Sequence, residues 1–285
     1  MVLIIGYHER KGTFTNYASA CAHAHSIVAK YTLPETIPCV AMFVSGPRNS
    51  RLNFAGNQLD AIKNYVENND KDVRFLLHAS YVDLPWSSDE NIFARTCDIL
   101  RVCDVIGADV VMHAGKAFFD YSKSDYVFAQ LAQIWKKEQF ANARLFIETM
   151  PSIPQFAEPH AINMVFDIAR HHDLLNHVGL CIDTAHIWAA GADISTNTTS
   201  EKWLGELDND IRFALHLNDS KEPIETHRDI HTTLGNGEIW AREDAYMTFV
   251  NWACEHSAPI ILERNDNPEK EAIADLKLIT RKKNA

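Results

Sequence analysis

Apolar residues gather into eight short runs, at 2–7, 39–45, 74–80, 109–115, 144–150, 178–184, 211–217 and 258–263. Each run is short and rich in β-branched or bulky apolar side chains, the composition of a parallel strand covered on both faces. The segments between them are long enough for a helix each. Within 91–106, Ile92, Ile99, Leu100, Cys103 and Ile106 recur at three- and four-residue spacings, and Gly107 follows as a stop. Ser87 and Glu90 are spaced as a capping box ahead of that helix. Residues 17–31 set Tyr17, Cys21, Ala24, Val28 and Tyr31 on a similar stripe. Strands alternating with helices predict an α/β fold, a (β/α)8 TIM barrel in a single domain over 1–285, with its site at the carboxyl ends of the strands. One connection is abnormal. From Asn218 to Gly237 the chain is polar, with two glycines and no clear periodicity, and structureless loops of that length in compact domains are usually functional.

Six consecutive runs finish on a side chain that binds metals: His78, His113, Glu148, Asp183, His216 and Glu263. Strands that present such groups at their carboxyl ends describe one rim of a barrel with its ligands aimed at a common point. Histidine and carboxylate without thiolate suit zinc or manganese at a catalytic centre rather than a structural zinc site. His186 lies three residues past Asp183, and Asp229 and His231 are two apart, so an extended loop projects both to one side. His186, Asp229 and His231 would close round one ion. The other six suffice for two more if one carboxylate bridges. Paired metals about 4 Å apart suit in-line attack on phosphate. Any one of these histidines alone is better read as a packed or surface residue, but a carboxylate ending a buried strand is costly without a partner. His23, His25, His160, His171, His172, His177 and His256 fall in helical segments or at their ends and read as ordinary.

The formal net charge of −11 argues against indiscriminate nucleic-acid binding, so any DNA-binding face is a local basic patch on an acidic body. Four of the acids are candidate ligands whose charge a bound metal cancels. Six cysteines without a C-x-x-C pair read as reduced, in a reducing intracellular compartment, with a disulfide through Cys21 or Cys39 the lesser alternative. The chain opens on a strand-like VLIIGY rather than a secretory signal, and no run approaches the length of a membrane span. Motifs for phosphate loops, dinucleotides, serine nucleophiles and H-E-x-x-H zinc sites are absent.

GLCIDTAH, followed by HLNDSK and RDIHTTLGNG, with HASYVDL, HAG, IET and LER in order, resembles the endonuclease IV family of apurinic/apyrimidinic (AP) endonucleases over nearly the whole chain. The resemblance implies a barrel with three zinc ions, manganese being an alternative at one position. It also implies double-stranded DNA containing an abasic site as substrate, cleaved on the 5′ side to leave a 3′-hydroxyl and a 5′-deoxyribose phosphate. Trimming of 3′ ends, a monomer and no membrane partner follow in the same way. His78, His113 and Glu148 would hold the first metal. Glu148 would bridge to a second held by Asp183, His216 and Glu263, and His186, Asp229 and His231 would take the third. Glu148 and Glu263 would orient or deprotonate the attacking water. An abasic nucleotide has no base to unstack, which favours its extrusion. Tyr81 and Arg48 would fill the gap and kink the duplex, and Asn218 and Lys221 would reach phosphate beside His216. His8 either lines the pocket or caps the first strand.

Two positions depart from the family pattern without touching a ligand. Ala79 stands where a small polar residue or glycine is usual, and Ile230 replaces an arginine between Asp229 and His231. HASYVDLPWS looks most like members from large DNA viruses that replicate in the cytoplasm. The rival is a metal-dependent sugar isomerase or epimerase on the same kind of barrel, which needs one or two metals and gives Asp229 and His231 no role.

Overall fold

A computed structural model describes residues 2–12, 14–69, 73–264 and 267–283. Eight parallel strands close a barrel: β1 (Ile4–His8), β2 (Ile37–Ala41), β3 (Arg74–His78), β4 (Asp109–His113), β5 (Leu145–Glu148), β6 (Val178–Asp183), β7 (Phe213–His216) and β10 (Ile260–Leu262), with β10 pairing both β7 and β1. Outside run α1 (Tyr17–Tyr31), α2 (Asn57–Asn68), α3 (Ile92–Ile106), α4 (Tyr121–Glu138), α5 (Pro159–His171), α8 (Tyr246–Glu255) and α9 (Pro268–Lys283). The β6–β7 crossover holds two helices, α6 (Thr184–Ala190) and α7 (Asn197–Gly205), where one segment was expected.

The period of two along each strand decides what the barrel contains. Cys39, Ala41, Leu76, Val111, Phe146, Cys181, Ala214 and Ile261 point inward and form a dry layer across the interior. Alternate residues such as Leu77, Val110, Ile147 and Leu215 pack outward against the helices. A side chain two residues past the inner layer must therefore rise into the mouth. Gly6 shows how close the backbones run there, since a Cβ on it would lie 1.4 Å from the carbonyl oxygen of Cys39.

Several boundaries differ from the sequence expectation. The second strand is Ile37–Ala41 rather than 39–45, because its register on β1 begins with Ile4 opposite Ile37. Beyond it only isolated bridges continue, Phe43 to His78 and Ser45 to Leu52. The capping box at Ser87 and Glu90 does not form. Ser87 Oγ accepts from the Asp89 N–H within a turn, and Asn91 occupies the cap without a side-chain bond. Gly107 does end α3, at φ 66°.

The polar connection after β7 is ordered. Strand β8 (Asp219–Ser220) pairs antiparallel with β9 (His231–Thr232), and the buried Asp219 carboxylate accepts from the N–H groups of Ser220, Gly235, Gly237 and Ile239. Only glycine fits at 237, where a Cβ would sit 2.3 Å from Ser220 O and 2.4 Å from Asp219 Oδ1. The tip is fastened to α6, with Glu225 N–H donating to Trp188 O and His227 N–H to Ala189 O. All six cysteines are free, so neither Cys21 nor Cys39 forms the alternative disulfide. Among the described residues no helix is long and apolar enough to cross a membrane.

Candidate metal centre

Every strand-end ligand candidate rises from the same face of the barrel. His78, Glu148, Asp183 and His216 are buried; His113 is more open, and Glu263 lies one residue past its strand. Glu148 is the hub. Its Oε2 lies 3.0 Å from His78 Nε2 and 2.9 Å from His113 Nε2, and its Oε1 lies 2.8 Å from His216 Nδ1. Burial alone would raise this carboxyl, but the His113 and His216 rings hold it well below its ordinary range.

Asp183 ends β6 and caps α6, its Oδ1 accepting from the Ala185 and His186 N–H groups. The first turn of that helix thus places His186 over the mouth, 3.7 Å from Glu148 Oε1, with Nδ1 directed at Thr149 O. From the other side the β8–β9 hairpin brings His231 Nε2 within 3.6 Å of Asp183 Oδ2 and 2.7 Å of Asp229 Oδ1, while His186 Nε2 lies 3.3 Å from Asp229 Oδ2. Glu263 closes the ring, 3.5 Å from His216 and 4.0 Å from His231. Burial works against charge on His186 and His231, yet Asp183 and Asp229 keep both rings above their ordinary range.

The donor set fits metal ions. The Nε2 atoms of His186 and His231 are buried and make no aligned hydrogen bond, although Asp229 oxygens stand close to both. Lone pairs and carboxylate oxygens face one another across short gaps, as ligands of a shared cation do. Ligand atoms of His78, His113 and Glu148 lie within 4.8 Å of one another, and the same holds for Glu148, Asp183, His216 and Glu263, and for Asp183, His186 and His231. The third set carries Asp183 in the place expected for Asp229, which lies beside it with 44% of its side chain exposed.

A cavity of about 220 Å³ opens above this cluster, lined also by His8, Arg10, Phe43, Tyr81 and Arg264. His8 lines the pocket, and burial pushes its imidazole down to about 4. Arg10 and Phe43 escaped the sequence reading, although the inward alternation continues through His8 to Arg10 and from Ala41 to Phe43. Tyr81 stands at the rim, half exposed. Arg48 is exposed on the loop after β2, which is tied to the Tyr81 loop by Tyr81 N–H to Pro47 O and Ser50 Oγ to the buried Asp83. The structure gives Asn218 a different place from the phosphate contact expected of it. It is fully buried, its amide committed to Asp183, Glu263 and Arg264. Lys221 is exposed on the hairpin, outside the cavity lining.

The connections after β1, β2 and β4 carry Arg10, Lys11, Arg48, Arg51 and Lys116, and residues 42–56 contain no acid at all. Of these, Arg10 lines the cavity. Among the histidines read as ordinary, His23 pairs with Glu269, His172 with Asp125 and His256 with Asn209, all away from the mouth.

The family described as xylose isomerase-like TIM barrel matches residues 37–282. A protein of Clostridium botulinum named "Probable endonuclease 4" is 30% identical over 234 residues, covering 78% of this chain and 81% of its own. This chain belongs to the endonuclease IV family. A further relative, "Probable AP endonuclease" of African swine fever virus, is 26% identical over 79% of this chain and 78% of its own. The crystal structure of endonuclease IV from Thermus thermophilus superposes with a TM-score of 0.73 at 19% identity, over 99% of this chain and 100% of that one, a likeness of fold.

Proposed function

We propose that the chain is an AP endonuclease that hydrolyses the phosphodiester 5′ of an abasic site in double-stranded DNA, with 3′ end trimming as a related activity, and that it works as a monomer. The observation that carries this reading is the third ligand set. Asp229 and His231 arrive from a dedicated hairpin to meet His186 and Asp183, an addition without use to a sugar isomerase. His78, His113 and Glu148 would hold one zinc ion. Glu148, Asp183, His216 and Glu263 would hold a second, and His186, His231 and Asp229 a third, with manganese acceptable at one position. Metals bound there supply activated water and stabilise charge on phosphate and the leaving oxygen.

The chain's own groups do the rest. Glu148 and Glu263 face the cavity with their oxygens beside imidazoles, which supports a role in orienting the attacking water or deprotonating it. Four carboxylates are outnumbered in charge by three divalent cations, so the loaded mouth attracts phosphate despite the acidic body. Arg10 lines the cavity as a cationic contact for the strand. Tyr81 and Arg48 would enter the duplex gap, and the hydrogen bonds between their loops support their acting together.

The test is incubation with a duplex carrying one tetrahydrofuran abasic analogue. Nicking 5′ of the analogue that is lost in Asp229→Ala and in Glu263→Ala supports the proposal. Isomerisation of a ketose without nicking refutes it.

A further inference from the structure

Behind the ligands lies a buried polar network that none of the proposed chemistry uses. Arg264 follows the ligand Glu263, yet only 3% of it is exposed, and Asp275 on α9 is 1% exposed. Arg264 Nε and Nη2 lie 2.8 and 2.6 Å from the same Asp275 oxygen. Its Nη1 donates to Asn218 Oδ1 at 2.7 Å and to Glu263 O at 2.6 Å, and Nη2 donates to Leu217 O at 3.3 Å. Four of the five guanidinium N–H groups thereby donate, and Nη2 is also in ion-pair contact with Asp275. Arg264 borders the cavity with its guanidinium turned to protein partners.

The consequence falls on Asn218. Its Oδ1 accepts from both Arg264 and the Glu263 N–H, so the amide can face only one way, and its Nδ2 is turned onto Asp183 Oδ2 at 2.7 Å. A buried ion pair is poor value for stability, because desolvation offsets its attraction. Orientation is what this one supplies. Groups behind a metal's direct ligands commonly set its affinity by fixing how those ligands point.

We infer that Arg264 and Asp275 are positioning residues that lock the Asn218 amide, and through it set how tightly the Asp183, His216 and Glu263 side of the centre retains its metal. The inference rests on the metal-centre reading above. It assigns α9, outside the barrel, a part in metal retention.

The experiment follows release of zinc from the loaded full-length protein to a chromogenic chelator, alongside urea unfolding. Arg264→Met with Asp275→Leu removes the pair without stranding a charge. This double variant is expected to release zinc about 10–100-fold faster. Asn218→Ala is expected to do the same, and its addition to the double variant to add nothing further, as for residues acting in one chain. Zinc release within twofold of wild type in the folded double variant overturns the inference, as does full additivity with Asn218→Ala. Should the double variant not fold, Asp275→Asn, which keeps an acceptor for Leu234 N–H, is read against the same criteria. A wild-type protein that takes up no zinc sinks the metal-centre reading instead.

Discussion

The phenol of Tyr81 lies over the imidazole of His113, with ring centroids 5.1 Å apart and planes inclined by 20°. A rim residue proposed to enter DNA is thereby stacked on a proposed metal ligand. Tyr81→Phe keeps the stack and is expected to nick an abasic duplex at close to the wild-type rate. Tyr81→Ala removes a stacking face worth about 1 kcal/mol or more and should raise KM roughly fivefold or more while metal content stays unchanged. Steady-state kinetics with elemental analysis check both. Loss of metal in Tyr81→Ala would show that the tyrosine holds His113 rather than DNA.

Asp229 is the most exposed of the proposed ligands. Asp229→Ala takes the nearest carboxylate from the buried His186 and His231 rings, so it should cost of order 1–3 kcal/mol, lower the metal content by about one equivalent and abolish nicking. Elemental analysis and urea unfolding separate the two effects. Full metal content in the variant would remove Asp229 from the third set.

Gly237→Ala tests the hairpin that delivers Asp229 and His231. The added Cβ meets Ser220 O and Asp219 Oδ1 at 2.3 and 2.4 Å, so the turn must shift. Among the described residues no barrel strand pairs with β8 or β9, so thermal unfolding should remain cooperative. The expected result is reduced nicking with selective loss of one metal.

At the opposite end of the barrel, burial pushes the Asp109 carboxyl up from 3.8 to about 6, against the pull of Arg144, Arg74 and Arg212. The folded protein therefore holds this proton more tightly than the unfolded chain. The stability it contributes is full below about pH 4 and is lost as pH rises through 6. Asp109→Asn should be more stable than wild type at pH 8, by up to about 3 kcal/mol, with the difference closing towards pH 4. Urea midpoints across that range check the sign; a difference that grows on acidification contradicts it.

The barrel and most of its centre are legible in the sequence for one physical reason. A parallel strand buried on both faces reads as an apolar run, and the period of two carries the next inward residue into the mouth. Leu76 therefore predicts His78, Phe146 predicts Glu148, and Ile261 predicts Glu263. The hairpin is not legible in this way. Its order comes from the Asp219 carboxylate gathering N–H groups up to 20 residues away, a tertiary event with no periodicity. The burial of Asn218, expected to reach phosphate, is hidden for a related cause, since its partners Glu263 and Arg264 lie 45 and 46 residues away. The Ser87–Glu90 spacing is local and real, but a turn centred on Asp89 uses it first.

The apolar layer formed by Leu76, Val111, Phe146, Cys181, Ala214 and Ile261 has an electrical consequence. With the proposed cations bound, low-dielectric material beneath them would block their field from spreading downward and funnel it out through the open end. A protein of net charge −11 would then show incoming DNA one small positive window. Association should be steered to that window while the remaining surface repels the duplex.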